Sequence, residues 1–245
     1  MQQGDAAIQT VTLSLFRFDT ALARLWVLGQ MATARLALRR MQGAGFWKLC
    51  GSGTGEGFTP KPNWGVWAIL VVWPDEATAR RQLNDAALFR RWRAKSTEGW
   101  TVFLAPQSAR GLWAGVQPFT ATDAACAATP GLAVLTRASL RPAKLARFWA
   151  RVPGISAVIG ADPHVAFKIG IGELPLLHQI TFSLWPDAAC MARFARGDGP
   201  HGRAIKAVRA EGWFREELYA RFHILGATGT WAGADPLLLL KKDAA

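Results

Sequence analysis

The sequence predicts an α+β fold in which two copies of one unit close into a single barrel, and three observations predict it. The tripeptide Trp-Pro-Asp stands at 73–75 and again at 185–187, each time after an apolar run and before an Ala/Arg-rich stretch. Four further landmarks return in the same order: LARLW (22–26) as LARFW (145–149), FWKL (46–49) as AFKI (166–169), EGW (98–100) as EGW (211–213), and WAG (113–115) as WAG (231–233). Between the copies, ATDAACAATPG (121–131) has the small residues and lone proline of a connecting segment. Self-similarity at a long period marks a duplicated structural unit. The expected organisation is a first repeat over 1–120, a linker over 121–131 and a second repeat over 132–245.

Each repeat opens on a strand, TVTLSLFRF (10–18) or LAVLTRASL (132–140), rich in branched residues with partial alternation. A helix bearing the LAR-(Leu/Phe)-Trp phrase follows, and in the second copy Pro142 falls early enough to occupy its first turn. FWKLC and AFKIGI read as second strands, VWAILVVW and HQITFSLW as third strands. Asp75 and Asp187 are expected N-caps of the next helix, because a carboxylate there accepts from unpaired backbone N–H groups. The helical stretches ending at Ala94 and Ala210 lead to last strands at TVFLA and YARFHILG. The order β-α-β-β-α-β is the ferredoxin-like unit. Two such sheets bury their second faces by closing on each other, a fused barrel of the dimeric α/β type with helices outside.

Composition narrows the function. A chain of 245 residues, 51% apolar and 19% charged, is globular and long enough for a large core. The uncharged apolar run from Trp64 to Trp73 is about half of the ~20 residues that span a bilayer, so no membrane-crossing helix is expected. MQQGDAAIQT carries no secretory pattern. Three scattered cysteines draw no disulfide framework, and the expected compartment is the cytoplasm. A net charge of +12 favours polyanions. The basic residues are dispersed and accompanied by no zinc-finger or RRM signature, so no nucleic acid is expected as partner, which leaves an anionic membrane face. Twelve tryptophans suit a wide apolar cavity or a membrane-contacting surface, and equally an ordinary core.

A duplicated scaffold keeps its fold in both copies while a site evolves in one, so the differences between copies are informative. All four histidines fall in the second half; Val66 is replaced by His178 and Trp67 by Gln179. No HExxH and no Cys/His knuckle is present, which argues against a zinc site. Haem iron, by contrast, needs a single proximal ligand. His201 follows Gly199-Pro200, opens a helix and shares a face with Ile205 and Val208. It points into a cavity or stands at a solvated helix end. His178 alternates in phase with Ile180, Phe182 and Leu184, as a site residue or as a core histidine. His164, in a turn, and His223, late in the last strand, are lesser candidates. Cys50 and Cys190 read as small buried hydrophobes. GSGTGEG (51–57) lacks the spacing, lysine and following helix of a phosphate loop, so it reads as a place where backbone approaches closely. No Ser/His/Asp series or close carboxylate pair supports hydrolysis.

FWKLCGSGTGEGFTPKPN, VPGISAVIGADPHVAFKIGIGE, HQITFSLWPD and IKAVRAEGWFREELYARF resemble the spheroidene monooxygenase family, the carotenoid ketolases of purple photosynthetic bacteria. The resemblance runs from about Thr10 to Gly233. It implies an oxidoreductase that introduces oxygen at C-2 of acyclic carotenoids, taking spheroidene to spheroidenone with O2, haem iron and electrons from reduced ferredoxin. Haem-degrading proteins of similar barrel architecture ligate iron from the corresponding helix, and that position carries over near Ile205, one turn from His201. On this reading His201 is the metal ligand, with Lys48, Lys168 and Arg209 as partners of the haem propionates. His178 and Gln179 form a catalytic polar pair, and Trp47, Phe58, Trp64, Trp67 and Trp185 wall the substrate channel. Peripheral contact with the inner photosynthetic membrane follows for a basic, tryptophan-rich protein with no spanning helix; a homo-oligomer is compatible with the fold. Two rival readings are a small-molecule or haem-degrading monooxygenase on the same barrel, and a non-catalytic carotenoid-binding barrel.

Overall fold

The computed structural model describes residues 7–57, 59–122, 129–150, 165–196 and 212–242. Phe58, His164, His201, Ile205 and Arg209 lie outside the described residues. Among the described residues the element order is β1 (Thr10–Arg17), α1 (Ala21–Arg39), β2 (Trp47–Gly53), β3 (Pro62–Trp73), α2 (Glu76–Asp85), α3 (Ala87–Lys95) and β4 (Glu98–Gly111). The second copy supplies β5 (Thr129–Leu140), a 3-10 turn at Pro142–Lys144 that leads into α4 (residues 145–150), β6 (Phe167–Gly172), β7 (His178–Trp185), α5 (Ala188–Arg196), β8 (Phe214–Gly229) and α6 (Leu237–Lys242).

Local chemistry starts the helices where the sequence says it should. Thr20 caps α1 by accepting from the Ala23 N–H. Asp75 Oδ1 accepts from the Thr78 N–H at 2.6 Å, and Asp187 Oδ1 from the Cys190 N–H at 2.7 Å. These backbone hydrogen bonds hold both carboxyls below the ordinary aspartate range. The strands outrun the apolar phrases that announce them: β3 begins at Pro62, β4 continues to Gly111, and β5 starts at Thr129, inside the expected linker. Ladder pairing, absent from the local pattern, sustains these extensions.

The eight strands close into one antiparallel barrel in the order β1-β3-β2-β6-β7-β5-β8-β4. The halves meet at two seams, a long one between β4 and β8 and a short one between β2 and β6 that pairs Gly51 with Gly172 and Ser52 with Ile171. Alternate residues fill the interior: Val11, Leu13 and Leu15 on β1, Ala68, Leu70 and Val72 on β3, Ile180, Phe182 and Leu184 on β7, Leu218, Ala220 and Phe222 on β8. The opposite phase of the first half, Phe16, Trp67, Ile69, Val71 and Trp73, packs beneath α1, α2 and α3.

Register corrects two of the landmarks. Trp73 pairs with Thr10 and Trp185 with Leu132, so the Trp-Pro-Asp copies are equivalent. Lys48, however, pairs with Leu70, whereas Phe182, the counterpart of Leu70, pairs with Ile169. Lys168 therefore stands where the first copy has Trp47, and a one-residue slip sends a side chain through to the other face. Lys48 points inward and Lys168 outward. Similarly, Arg17 pairs with Glu98 and its counterpart Ser139 with Glu216, so Glu98 matches Glu216 and not Glu211.

The WAG landmark is a true equivalence with a structural purpose. Trp113 and Trp231 each open a tight turn in which Ala114 and Gly115, or Ala232 and Gly233, adopt positive φ. The turn of each half then clamps the glutamate of the other. Ala114 and Gly115 donate to Glu216 at 2.7 and 2.9 Å, and Gly233 donates to Glu98 at 2.8 Å. Each glutamate also meets an arginine, Arg137 for Glu216 and Arg17 for Glu98. Burial opposes ionisation of both carboxyls, yet the donated hydrogen bonds and arginines bring them below the usual range.

Candidate active site

A cleft of about 240 Å³ opens over the short seam between β2 and β6. Its floor is bare backbone at Gly51, Gly53 and Gly172. The end of β2 and the loop after it are stitched across the seam: Ser52 Oγ donates to the Gly170 carbonyl at 2.7 Å, and Gly170 N–H donates to the Glu56 carbonyl at 2.7 Å. Gly57, at φ +93°, lies so close to Gly170 that a Cβ would collide with its carbonyl oxygen. The glycine-rich phrase thus serves the close approach of two backbones.

Walls come from both halves. Leu28, Met31 and Arg35 of α1 form one side, Trp64 and Trp67 of β3 another. Trp149 of α4 and Leu176 of the β6–β7 connection face them, tied together by the Trp149 Nε1–H donating to the Leu176 carbonyl at 3.1 Å. His178 and Gln179 complete the lining at the start of β7. The fold thus brings together four expected site residues: Trp64, Trp67, His178 and Gln179. Trp47 and Lys48 line a neighbouring crevice with Glu173 and Arg35. Trp185 belongs elsewhere, buried beneath α5 against Phe194. Lys48 and Lys168 face opposite sides of the wall, so they do not serve one group. Lys168 pairs with Glu56 at 3.1 Å.

Behind the cleft lies a charged cluster within the barrel end. Glu173 receives Lys48 Nζ at 2.8 Å, the Trp113 Nε1–H at 3.0 Å and Arg137 Nη2 at 3.6 Å. His178 Nδ1 stands 3.2 Å from Glu173 Oε2, an ion-pair distance without hydrogen-bond alignment. Burial pushes the Glu173 carboxyl up, but His178, Lys48 and Arg137 outweigh it and hold the group at about 2. Cys50, beside this cluster, is pushed up by burial and by Glu173, which makes it an inert thiol. Glu173 and Arg137 escaped the sequence reading. One signal was available for Arg137, since it occupies the interior phase where the first copy has Leu15.

The second half differs from the first on its outer face. Where Phe16, Trp67, Ile69 and Val71 are buried under helices, the ladder places Ala138, Gln179, Thr181 and Ser183. Ala138, Gln179 and Thr181 remain partly open. Four bulky apolar side chains have been exchanged for small or polar ones, leaving a shelf of lower side-chain bulk beside the cleft. For the haem that the family resemblance implies, the described residues of this shelf offer only small and polar side chains. They do not furnish its iron ligand on that shelf, and no cluster of three or more His, Cys, Asp or Glu suited to a metal ion occurs among the described residues. No described helix is long and apolar enough to cross a membrane.

Fold and cleft together define a duplicated, ferredoxin-like barrel of the dimeric α/β class with a cleft at the junction of its halves. Two aldoxime dehydratase structures share that fold. One, at 13% identity, has a TM-score of 0.60 over 96% of this chain and 88% of its own; the other, in complex with butyraldoxime, has 12% identity and a TM-score of 0.59 over 97% and 86%. No family model matches the chain. Spheroidene monooxygenase of Cereibacter sphaeroides is 56% identical over 231 residues, 94% of this chain and 71% of the relative. That of Rhodobacter capsulatus is 53% identical over 92% of this chain and 94% of the relative; that of Rubrivivax gelatinosus is 35% identical over 90% and 85%. The chain belongs to the spheroidene monooxygenase family and is an oxidoreductase of the monooxygenase type.

Proposed function

We propose that this protein is a carotenoid monooxygenase that oxidises C-2 of spheroidene-type acyclic carotenoids to a ketone, using O2 and electrons from reduced ferredoxin. The observation that carries the substrate class is identity above 50% to two spheroidene monooxygenases across nearly the whole chain. The geometry supports it. At about 240 Å³ the cleft is smaller than the ~300–1,000 Å³ of a site that swallows a whole small molecule, so it suits the tip of a long one. C-2 lies at the tip of an acyclic carotenoid.

Oxygen insertion into such a C–H bond is beyond side-chain acid/base chemistry, and a haem, the cofactor the family resemblance implies, would supply the oxidising power. His201 would hold its iron, with Ile205 and Arg209 following in the same stretch of sequence. Lys168, buried on the outer face, is the proposed partner for a propionate, in exchange for Glu56. This chain's own contribution is shape and dryness. Trp64, Trp67, Leu28 and Met31 clasp the hydrocarbon end and exclude water, while the glycine floor lets it lie against the sheet. His178, held beside Glu173, is the group at the cleft able to hold or release a proton, and Gln179 offers hydrogen bonds to oxygen on the substrate. Each insertion consumes one O2, two electrons and two protons and releases one water. A second insertion at the same carbon gives a gem-diol that loses water to leave the ketone.

Incubation of the haem-reconstituted protein with spheroidene, reduced ferredoxin and O2 tests this reading. A 2-keto product with a Soret band that disappears in His201→Ala is the expected result. A Soret band without carotenoid turnover would point to a different haem enzyme, and carotenoid binding without a Soret band to a carrier.

A further inference from the structure

Helix α1 is apolar on two opposite faces, and one of them has no partner among the described residues. Val27, Ala34 and Leu38 are buried against the sheet. Half a turn away, at helical spacing, stand Leu22, Leu25 and Leu36, exposed to 81%, 68% and 58%, with Gly29 and Ala32 between them. An isolated exposed leucine means nothing on a protein surface, but a contiguous stripe along one helix marks a contact site.

The charge around the stripe selects the partner. No aspartate or glutamate occurs between Asp19 and Glu56, while Arg24, Arg35, Arg39 and Arg40 all fall on or just after the helix. Arg24, Arg35 and Arg39 follow one flank, and none of these four arginines forms an ion pair among the described residues. The stripe also meets the cleft. Leu28, 44% exposed, lines the cleft from α1, and Trp64 and Leu176 stand exposed at its mouth.

We infer that α1 docks the protein on an anionic lipid surface, Leu22, Leu25 and Leu36 entering the interfacial layer while the arginine flank meets the headgroups. An apolar face bordered by arginine and lacking acid is the pattern of a helix that lies in a membrane interface. The orientation turns the cleft mouth toward the bilayer, where a hydrocarbon substrate would be collected. As a substrate route this rests on the function proposed above; as a docking surface it is tested apart from it.

Co-sedimentation of the full chain with phosphatidylglycerol/phosphatidylcholine vesicles provides the test. Binding should exceed that to pure phosphatidylcholine vesicles and weaken as salt rises. A Leu22→Ser/Leu25→Ser/Leu36→Ser variant should bind about tenfold or more weakly, while its circular dichroism and Tm stay unchanged because those side chains are already solvated. Vesicle binding by this variant equal to that of the parent would overturn the inference. So would a parent chain that ignores vesicles but forms a dimer which the variant dissociates, since the stripe would then be a subunit contact. Activity separates the two proposals. The variant should oxidise detergent-dispersed carotenoid normally and lose turnover on vesicle-embedded carotenoid; vesicle binding through α1 with no oxidation in either form would leave docking intact and remove the substrate.

Discussion

Single residues decide the chemistry of the cleft. Glu173 is the clearest case, a carboxylate shared by Lys48, Arg137, Trp113 and His178 at the barrel end. Its folded-state value of about 2 lies below the ordinary 4.5. Its contribution, roughly 3 kcal/mol, is therefore fully present above pH 4.5, declines on acidification and is gone below about 2. Acid titration of unfolding should show that loss, and Glu173→Gln should flatten the profile while lowering stability at neutral pH, because Lys48 loses its carboxylate while Arg137 keeps only Glu216. Gln179 is the second case. Its first-half counterpart is Trp67, so Gln179→Trp restores bulk at the cleft. Carotenoid kcat/KM is expected to fall about tenfold or more with Tm held or raised, a split that steady-state assay and calorimetry together resolve.

Elements show how far local pattern reaches. The two Trp-Pro-Asp helix starts were legible because capping involves an oxygen and an N–H a few residues apart. The inward aim of Lys48 was not, because facing depends on ladder register and the FWKL and AFKI phrases align one residue away from the pairing that forms. The glycine-rich connection after β2 reads in the sequence as a place where backbone approaches closely, and Gly57 does lie against Gly170. Its partner, the Gly170 carbonyl, could not be read from the sequence because it comes from the other half of the chain. Gly57→Ala should cost roughly 2 kcal/mol, about 4–8 °C in Tm for a chain of this length, as thermal unfolding would report. The sequence predicted a tryptophan-rich, basic surface for membrane contact; the exposed leucines of α1 were hidden in it, since a leucine at helical spacing reads as core until packing shows which face is covered.

At the scale of the molecule, neither half is a complete structure. Each would carry two unpaired edges, β2 and β4 in the first and β6 and β8 in the second, and unpaired edges seek other strands. The halves 1–120 and 121–245 expressed apart should self-associate or aggregate, whereas co-expression should restore one soluble barrel; size-exclusion chromatography with light scattering distinguishes these outcomes. The crossed WAG–glutamate clamps add a closure that requires both copies. Duplication, strand order within each unit, helix starts and the family resemblance were all written in the sequence, because each depends on residues near one another in the chain. The structure alone decided that the cleft forms over the glycine seam, that His178 finds Glu173, and that Lys48 and Lys168 part company across the wall. The first follows from pairing between strands more than a hundred residues apart; the other two follow from the β6–β7 connection and from register in the β2–β3 and β6–β7 ladders, where a one-residue shift sends a side chain to the opposite face.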